Sequence, residues 1–193
     1  QLAQMHRDLE ACFPAGSIDL VYSYFSVTEL TEYQPTEDDL KARAQREFKL
    51  EEGTPEFDTK MEELMAWKVD YEKFRLYPEM PDWDVMCFYP MLKKRAGEDN
   101  WYSLDFETRK KLMKTHATTG RKYAGRISQL ITGSTGLDDW EWGVTLMAKE
   151  VASIKDIVHE MRKDEVTARY GDFGPFYINL RLEPPALWAH LGL

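Results

Sequence analysis

Cysteine is scarce in this chain: Cys12 and Cys87 are the only two among 193 residues. Two thiols so far apart make no metal-type spacing. Each stands among apolar neighbours, so buried free thiols are the expectation, in keeping with a reducing, cytoplasmic setting. Long apolar runs are also missing; none approaches the roughly 18 residues that a membrane helix needs. Basic residues are in the minority, with 25 Lys and Arg against 34 Asp and Glu and a net charge of −9. That balance argues against a nucleic-acid footprint, which needs a basic face. No signal-peptide pattern opens the chain, which starts without methionine inside a predicted helix and reads as a fragment. GxGxxG, P-loop, HExxH and GxSxG signatures are absent. The four histidines (His6, His116, His159 and His190) are too far apart for a zinc-type pair.

Apolar residues make up 43% of the sequence, enough for one sizeable core or two small ones. Residues 1–12 read as the end of a helix, and 19–30, rich in aromatic and β-branched residues, as a strand. Residues 35–76 form a charged connector with helical stretches near 37–51 and 56–73, divided by Gly53 and Pro55. A second unit, 77–193, follows. It begins with a strand over 84–91 and a helix over 105–118 with Asp105 as its N-cap. Strands over 122–132 and 139–147 come next, then a helix over 150–162 with Val151, Ile154, Val158 and Met161 at core spacing. One or two last strands are expected within 165–182. The order β-α-β-β-α-β is the ferredoxin-like arrangement, so the expected class is α+β. Residues 1–34 look like the closing helix and strand of another such repeat, truncated at its start. The tail EPPALWAHLGL either docks on a neighbouring subunit through Leu187, Trp188 and Leu191 or frays.

Candidate chemistry centres on His116. It lies four residues after Leu112 and three after Met113, on the apolar face of its helix, which the stop signal Gly120 is expected to end. Either it is a core histidine satisfied by a carbonyl, or it is a neutral imidazole facing a haem cavity. Alternation puts Tyr89, Met91 and Lys93 on one strand face. That set is an odd core and suits a large, partly apolar, anionic ligand; alternatively Tyr89 is half-buried and Lys93 snorkels. Gln129, between Ile127 and Ile131, needs a partner, either a ligand or a backbone group. Arg162 is either a C-terminal helix cation or a carboxylate fork, with Thr167 five residues on. Trp140 and Trp142 are expected on one face of their strand. His159 falls off the apolar stripe and is expected exposed. Basic triplets at 93–95, at 109–111, and at Arg121, Lys122 and Arg126 are a solvated face or an anion site.

Longer runs carry a resemblance: YSYFSVTELTEY (22–33), RLYPEMP (75–81), CFYPMLKKR (87–95), EDNWYSL (98–104), residues 112–146, and EMRKDEVTARYGDFGPFY (160–177). In these segments the chain resembles the coproheme decarboxylase family, within the chlorite-dismutase-like haem proteins. The resemblance implies two ferredoxin-like repeats in an α/β barrel, assembled as a homopentamer. It implies that iron coproporphyrin III (coproheme) binds the C-terminal repeat as substrate and redox cofactor. Hydrogen peroxide is the oxidant, two propionates become vinyls with loss of two CO₂, and haem b is the product. His116 matches the iron ligand, Tyr89 the tyrosine whose radical attacks a propionate, and Lys93 the lysine beside that propionate. Met91, Gln129, Arg162 and Thr167 match positions around an uncleaved propionate, with threonine where the family often has serine. Arg75 matches a pocket arginine and Tyr33 a propionate-contacting tyrosine. An upstream ferrochelatase is the implied partner; no nucleic acid and no membrane span are implied. A non-catalytic haem carrier and a chlorite dismutase or peroxidase are the competing readings. Gln129, where chlorite dismutases carry an arginine, speaks against the last.

Overall fold

The computed structural model describes residues 2–192. Helix α1 (Leu2–Ala11) precedes an extended stretch that ends in strand β1 (Val27–Thr28). Two helices follow, α2 (Glu37–Phe48) and α3 (Pro55–Leu76). A reciprocal cap between Thr36 and Asp39 starts α2; Thr54, with Pro55 at the first helical position, starts α3. The pair closes a small core of its own around Leu40, Ala44, Phe57 and Leu64.

The remainder is built on strands β2 (Val85–Lys93), β3 (Ile127–Gly133), β4 (Trp142–Ala148), β5 (Gly171–Phe173) and β6 (Tyr177–Leu180). Helix α4 (Phe106–Arg121) joins β2 to β3, and α5 (Val151–Met161) follows β4. All pairs are antiparallel. The sheet order is β1-β3-β4-β2-β5, with β6 sharing the edge of β2. From β2 onward this is the ferredoxin-like strand order. Val85, Cys87 and Tyr89 of β2 and Val144, Leu146 and Ala148 of β4 face Ile154 and Ile157 of α5. Helix α5 packs on β4, and α4 packs on α5 and the short helix α6 (Glu165–Tyr170). Helix α4 therefore lies on the core side of the sheet. A last helix, α7 (Pro184–Leu191), puts Trp188 against Phe13, with ring centres 5.3 Å apart. No helix among the described residues is long and apolar enough to cross a membrane.

Several expectations need correction. Of the strand expected over 19–30, only Val27 and Thr28 pair in the sheet. The aromatics before them pack instead: Tyr22 and Tyr24 lie against Phe88, and Tyr22 stacks on Tyr177, on the face away from the helices. A Cβ at Gly143 would sit 2.6 Å from the Tyr24 ring, so glycine makes room there. The strands expected within 165–182 are β5 and β6; residues 165–170 ahead of them are helical, because the Asp164 side chain accepts the Thr167 N–H at 3.0 Å and caps a turn. Strand β3 starts at Ile127; a turn with Gly125 at φ +80° precedes it. Helix α4 runs through Gly120 to Arg121, and Gly120 instead admits the close approach of Met161 from α5. Trp140 precedes β4 and does not share its strand face with Trp142. Val151 is exposed, and Ser153 and Ile157 take the buried positions beside Ile154. Cys12 is exposed while Cys87 is buried. The tail is an ordered helix on this chain rather than a frayed end.

Candidate functional site

Helix α4 begins where Asp105 accepts the N–H of Thr108 at 2.9 Å. Unlike α5 it has no fully buried residue; Leu112, Met113 and His116 are half-buried. The helix is held at its flanks by polar ties. Lys110 Nζ donates to Asp39 at 2.9 Å, Arg109 Nε donates to the Tyr33 hydroxyl at 3.3 Å, and Arg109 Nη1 donates to the Leu104 carbonyl at 2.8 Å. Neighbouring β3 is likewise half-open along its core side, at Ile127, Gln129 and Ile131.

His116 Nδ1 stands 2.8 Å from Asp164 Oδ2. Burial works to raise the Asp164 carboxyl, but the His116 bond and the cap to Thr167 outweigh it and hold Asp164 below the usual carboxylate range. An ionised carboxylate can only accept, so Nδ1 is the donor and Nε2 is the nitrogen left over for another partner. That is the arrangement in which a carboxylate orients a metal-ligating imidazole. The core-histidine reading, with a carbonyl as partner, is replaced by this one. Sequence reasoning missed Asp164 although it carries a signal: an acidic residue three positions before Thr167 is an N-cap spacing.

Tyr89 is buried under two aromatic rings, Phe176 at 4.4 Å and Phe173 at 5.9 Å. Burial first, and then the Cys87 thiol, pushes its phenol well above the ordinary tyrosine range, against the pull of Arg162. Met91 and Lys93 share that strand face, as expected. Lys93 is 7% exposed. Its Nζ has the Val166 carbonyl at 3.5 Å and the Trp101 ring at 5.0 Å, and among the described residues no carboxylate forms an ion pair with it. Desolvation brings its ammonium down to about 8, although Asp164 and Glu141 act the other way. Lys93 therefore does not snorkel: it is a buried cation without a counter-ion, a state that is costly unless an anion arrives.

The turn between α5 and α6 draws these groups together. Arg162, exposed, lies over the Phe173 ring at 5.3 Å and acts on Tyr89. Asp164 binds His116 and acts on Lys93. Thr167 is buried one turn further on. The Cα of Met91 pairs with Trp142 and Phe173, and that of Gln129 with Leu146. Tyr33 and Arg75 stand apart from that turn, on the β1 side. The Tyr33 ring stacks on Phe106 at 5.8 Å, and burial first, then Glu32, pushes its hydroxyl up to about 12. Arg75 Nη2 donates to the Glu29 carbonyl at 3.3 Å, while its Nε is buried without a partner among the described residues. An orphaned guanidinium N–H and an unpaired buried ammonium both suit a ligand with carboxylate arms. The outlying basic residues are a solvated face: Lys122 pairs with Glu160 and Arg126 with Asp156, and His159 is exposed as expected. Among the described residues no cluster of three or more His, Cys, Asp or Glu could hold a bare metal ion.

Comparisons with known proteins give the family. The family model described as chlorite dismutase matches residues 1–182. The chain belongs to the chlorite dismutase family. Among curated relatives it is 54% identical, over 123 residues, to coproheme decarboxylase of Thermus thermophilus, covering 64% of this chain and 49% of that protein. A solved structure of a haem-binding protein from Thermus thermophilus superposes with a TM-score of 0.67 at 44% identity, over 89% of this chain and 58% of that one. Chlorite dismutase from Candidatus Nitrospira defluvii gives a TM-score of 0.52 at 20% identity, over 60% of this chain and 47% of that one, a likeness of fold alone. The chain spans about half the length of the curated relatives it matches.

Proposed function

We propose that this protein takes part in the hydrogen-peroxide-dependent decarboxylation of iron coproporphyrin III to haem b. The observation that carries the reading is Lys93: a buried, unpaired ammonium on the same strand face as a buried tyrosine, beside a helix whose histidine keeps Nε2 free. A cation placed this way fits a carboxylate ligand, and an oxidisable phenol next to it fits a carboxylate that reacts. The relatives named coproheme decarboxylase supply the porphyrin that matches both.

In this reading His116 Nε2 would hold the iron, with Asp164 fixing the ring. Lys93 would hold a reactive propionate; Arg75, Arg162, Tyr33, Met91, Gln129 and Thr167 would surround the rest of the ligand. When bound, the iron porphyrin supplies the oxidising equivalents of peroxide and takes up the electrons that the propionate releases. Tyr89 stays protonated at neutral pH because burial disfavours the phenolate, so its oxidation removes an electron and a proton together. The phenoxyl then takes a hydrogen atom from the propionate β-carbon and is a phenol again. The Cα–carboxylate bond breaks, CO₂ leaves, and the β-radical becomes a vinyl with loss of one more electron. For each arm, propionate, peroxide and a proton become vinyl, CO₂ and two waters. The rings of Phe173 and Phe176 keep water from the phenol.

The test is to mix the chain with ferric coproheme, titrate peroxide and follow porphyrin mass. Stepwise loss of two carboxyl groups is expected. Intact binding with unchanged mass, both in this chain and in a version extended to the length of its relatives, would leave the haem-carrier reading instead. Turnover of chlorite would favour the third reading.

A further inference from the structure

Strand β4 ends its pairing with β2 at Met91 opposite Trp142, so no ladder carbonyl remains on that side for the Lys93 N–H. Glu141 fills the gap. Its backbone N–H donates to the Met91 carbonyl at 3.0 Å, and its Oε2 accepts the Lys93 N–H at 2.9 Å. Its own carbonyl accepts the N–H of the fully buried Ser134 at 2.8 Å. Glu141 is 4% exposed, a depth at which a carboxylate is rare. The nearest cation, Arg95, is an exposed side chain with Nη1 3.9 Å away, and the Tyr102 hydroxyl lies against the carboxylate. A glutamine could accept the Lys93 N–H equally well. The carboxylate therefore calls for a second reason, and among the described residues the buried Lys93 ammonium lies nearby without pairing with it.

The geometry points to Glu141 as a positioning residue for Lys93: its carboxylate clamps the end of β2 and places a negative charge near the ammonium without pairing with it, leaving Nζ charged and open to an incoming carboxylate. This deepens the proposed function, since it rests on Lys93 as the residue that holds the reactive propionate. The Trp101 ring and the Val166 carbonyl lie against the Lys93 ammonium, and the charges of Asp164 and Glu141 act on it from further off. Of the two carboxylates, Asp164 is engaged by His116 and Thr167. Glu141 is the one whose side chain is anchored to Lys93 itself.

The experiment uses the full chain without porphyrin. An amine-reactive acylating reagent is applied from about pH 6 to about pH 10, and Lys93 labelling is read by peptide mass spectrometry. Glu141→Gln keeps the acceptor and removes the charge. Its labelling midpoint is expected to fall by about one pH unit, with Lys93 amide exchange unchanged. Glu141→Ala removes both, and exchange of the Lys93 amide is expected to accelerate at least about tenfold. An unchanged midpoint in Glu141→Gln, a Lys93 amide in Glu141→Ala that exchanges as in the parent, or failure of Glu141→Gln to fold would each overturn the proposal. Because the readout needs no porphyrin, its failure is distinct from a failure of the decarboxylation reading.

Discussion

Two helices lie on the same side of the same sheet and do opposite things. Helix α5 sends Ile154 and Ile157 between β2 and β4 and buries them almost completely. Helix α4 buries no residue fully and is steadied by polar ties to Tyr33, Asp39 and Asp164. One closes the main core through area removed from water; the other packs Leu112 and Met113, only half-buried, against Trp101, Val166 and Tyr170 and takes the rest of its position from hydrogen bonds. The face of α4 that carries His116 stays half-buried for that reason.

The comparison can be broken most sharply at its two histidines. His116→Ala is expected to abolish the axial-ligand spectrum of added ferric coproheme, whereas His159→Ala on α5 should leave it intact; absorption spectra decide. Stability gives the next contrast. Ile154→Ala should cost about 2–5 kcal/mol in urea unfolding, as buried truncations do, while Leu112→Ala, half-buried against Trp101, Val166 and Tyr170, should cost less, about 1–2 kcal/mol without ligand. Equal losses would mean that α4 is as well packed as α5.

Lys93 sharpens the same point through pH. Its folded-state value of about 8 lies below the ordinary 10.5, so the unfolded chain binds more protons between those limits. The burden of burying the charge is then fully present below about pH 8 and relieved as pH rises toward 10.5, making stability climb across that window. Lys93→Met should stabilise the ligand-free protein at neutral pH by up to about 3 kcal/mol and flatten the climb, while weakening coproheme binding. Wild-type affinity for the porphyrin should fall as pH passes 8, opposite in sign to the stability; a parallel trend would remove Lys93 from the ligand. Asp164→Ala comes next, with an expected loss of roughly 10–100-fold in ferric porphyrin affinity, measured by titration. Smallest is Asp105→Ala at the start of α4, at about 1 kcal/mol in thermal unfolding.

Much of this was legible from residues alone. The alternation of Tyr89, Met91 and Lys93 needs only the period of a strand, and Asp105 only the chemistry of a cap. The 19–30 segment misled because aromatic and β-branched residues favour any pleated or packed surface; Tyr22 and Tyr24 are used as packing rings without a ladder. The helix at 165–170 gave no signal because it is short, set off by Asp164, and shows no period. Glu141 gave no signal, since a glutamate between tryptophans reads as surface until the strand ahead of it is seen to run out of partners.

The sequence by itself determined the long helices and the strands β2, β3 and β4, and that Tyr89, Met91 and Lys93 share a face, because strand and helix periods are local properties of the backbone. The tertiary structure alone decided that His116 meets Asp164, 48 positions away, that Lys93 is sealed over Trp101 without a counter-ion, and that α4 stands open where α5 is closed. Pairing and desolvation depend on what the rest of the chain brings near a group, and no local pattern encodes that.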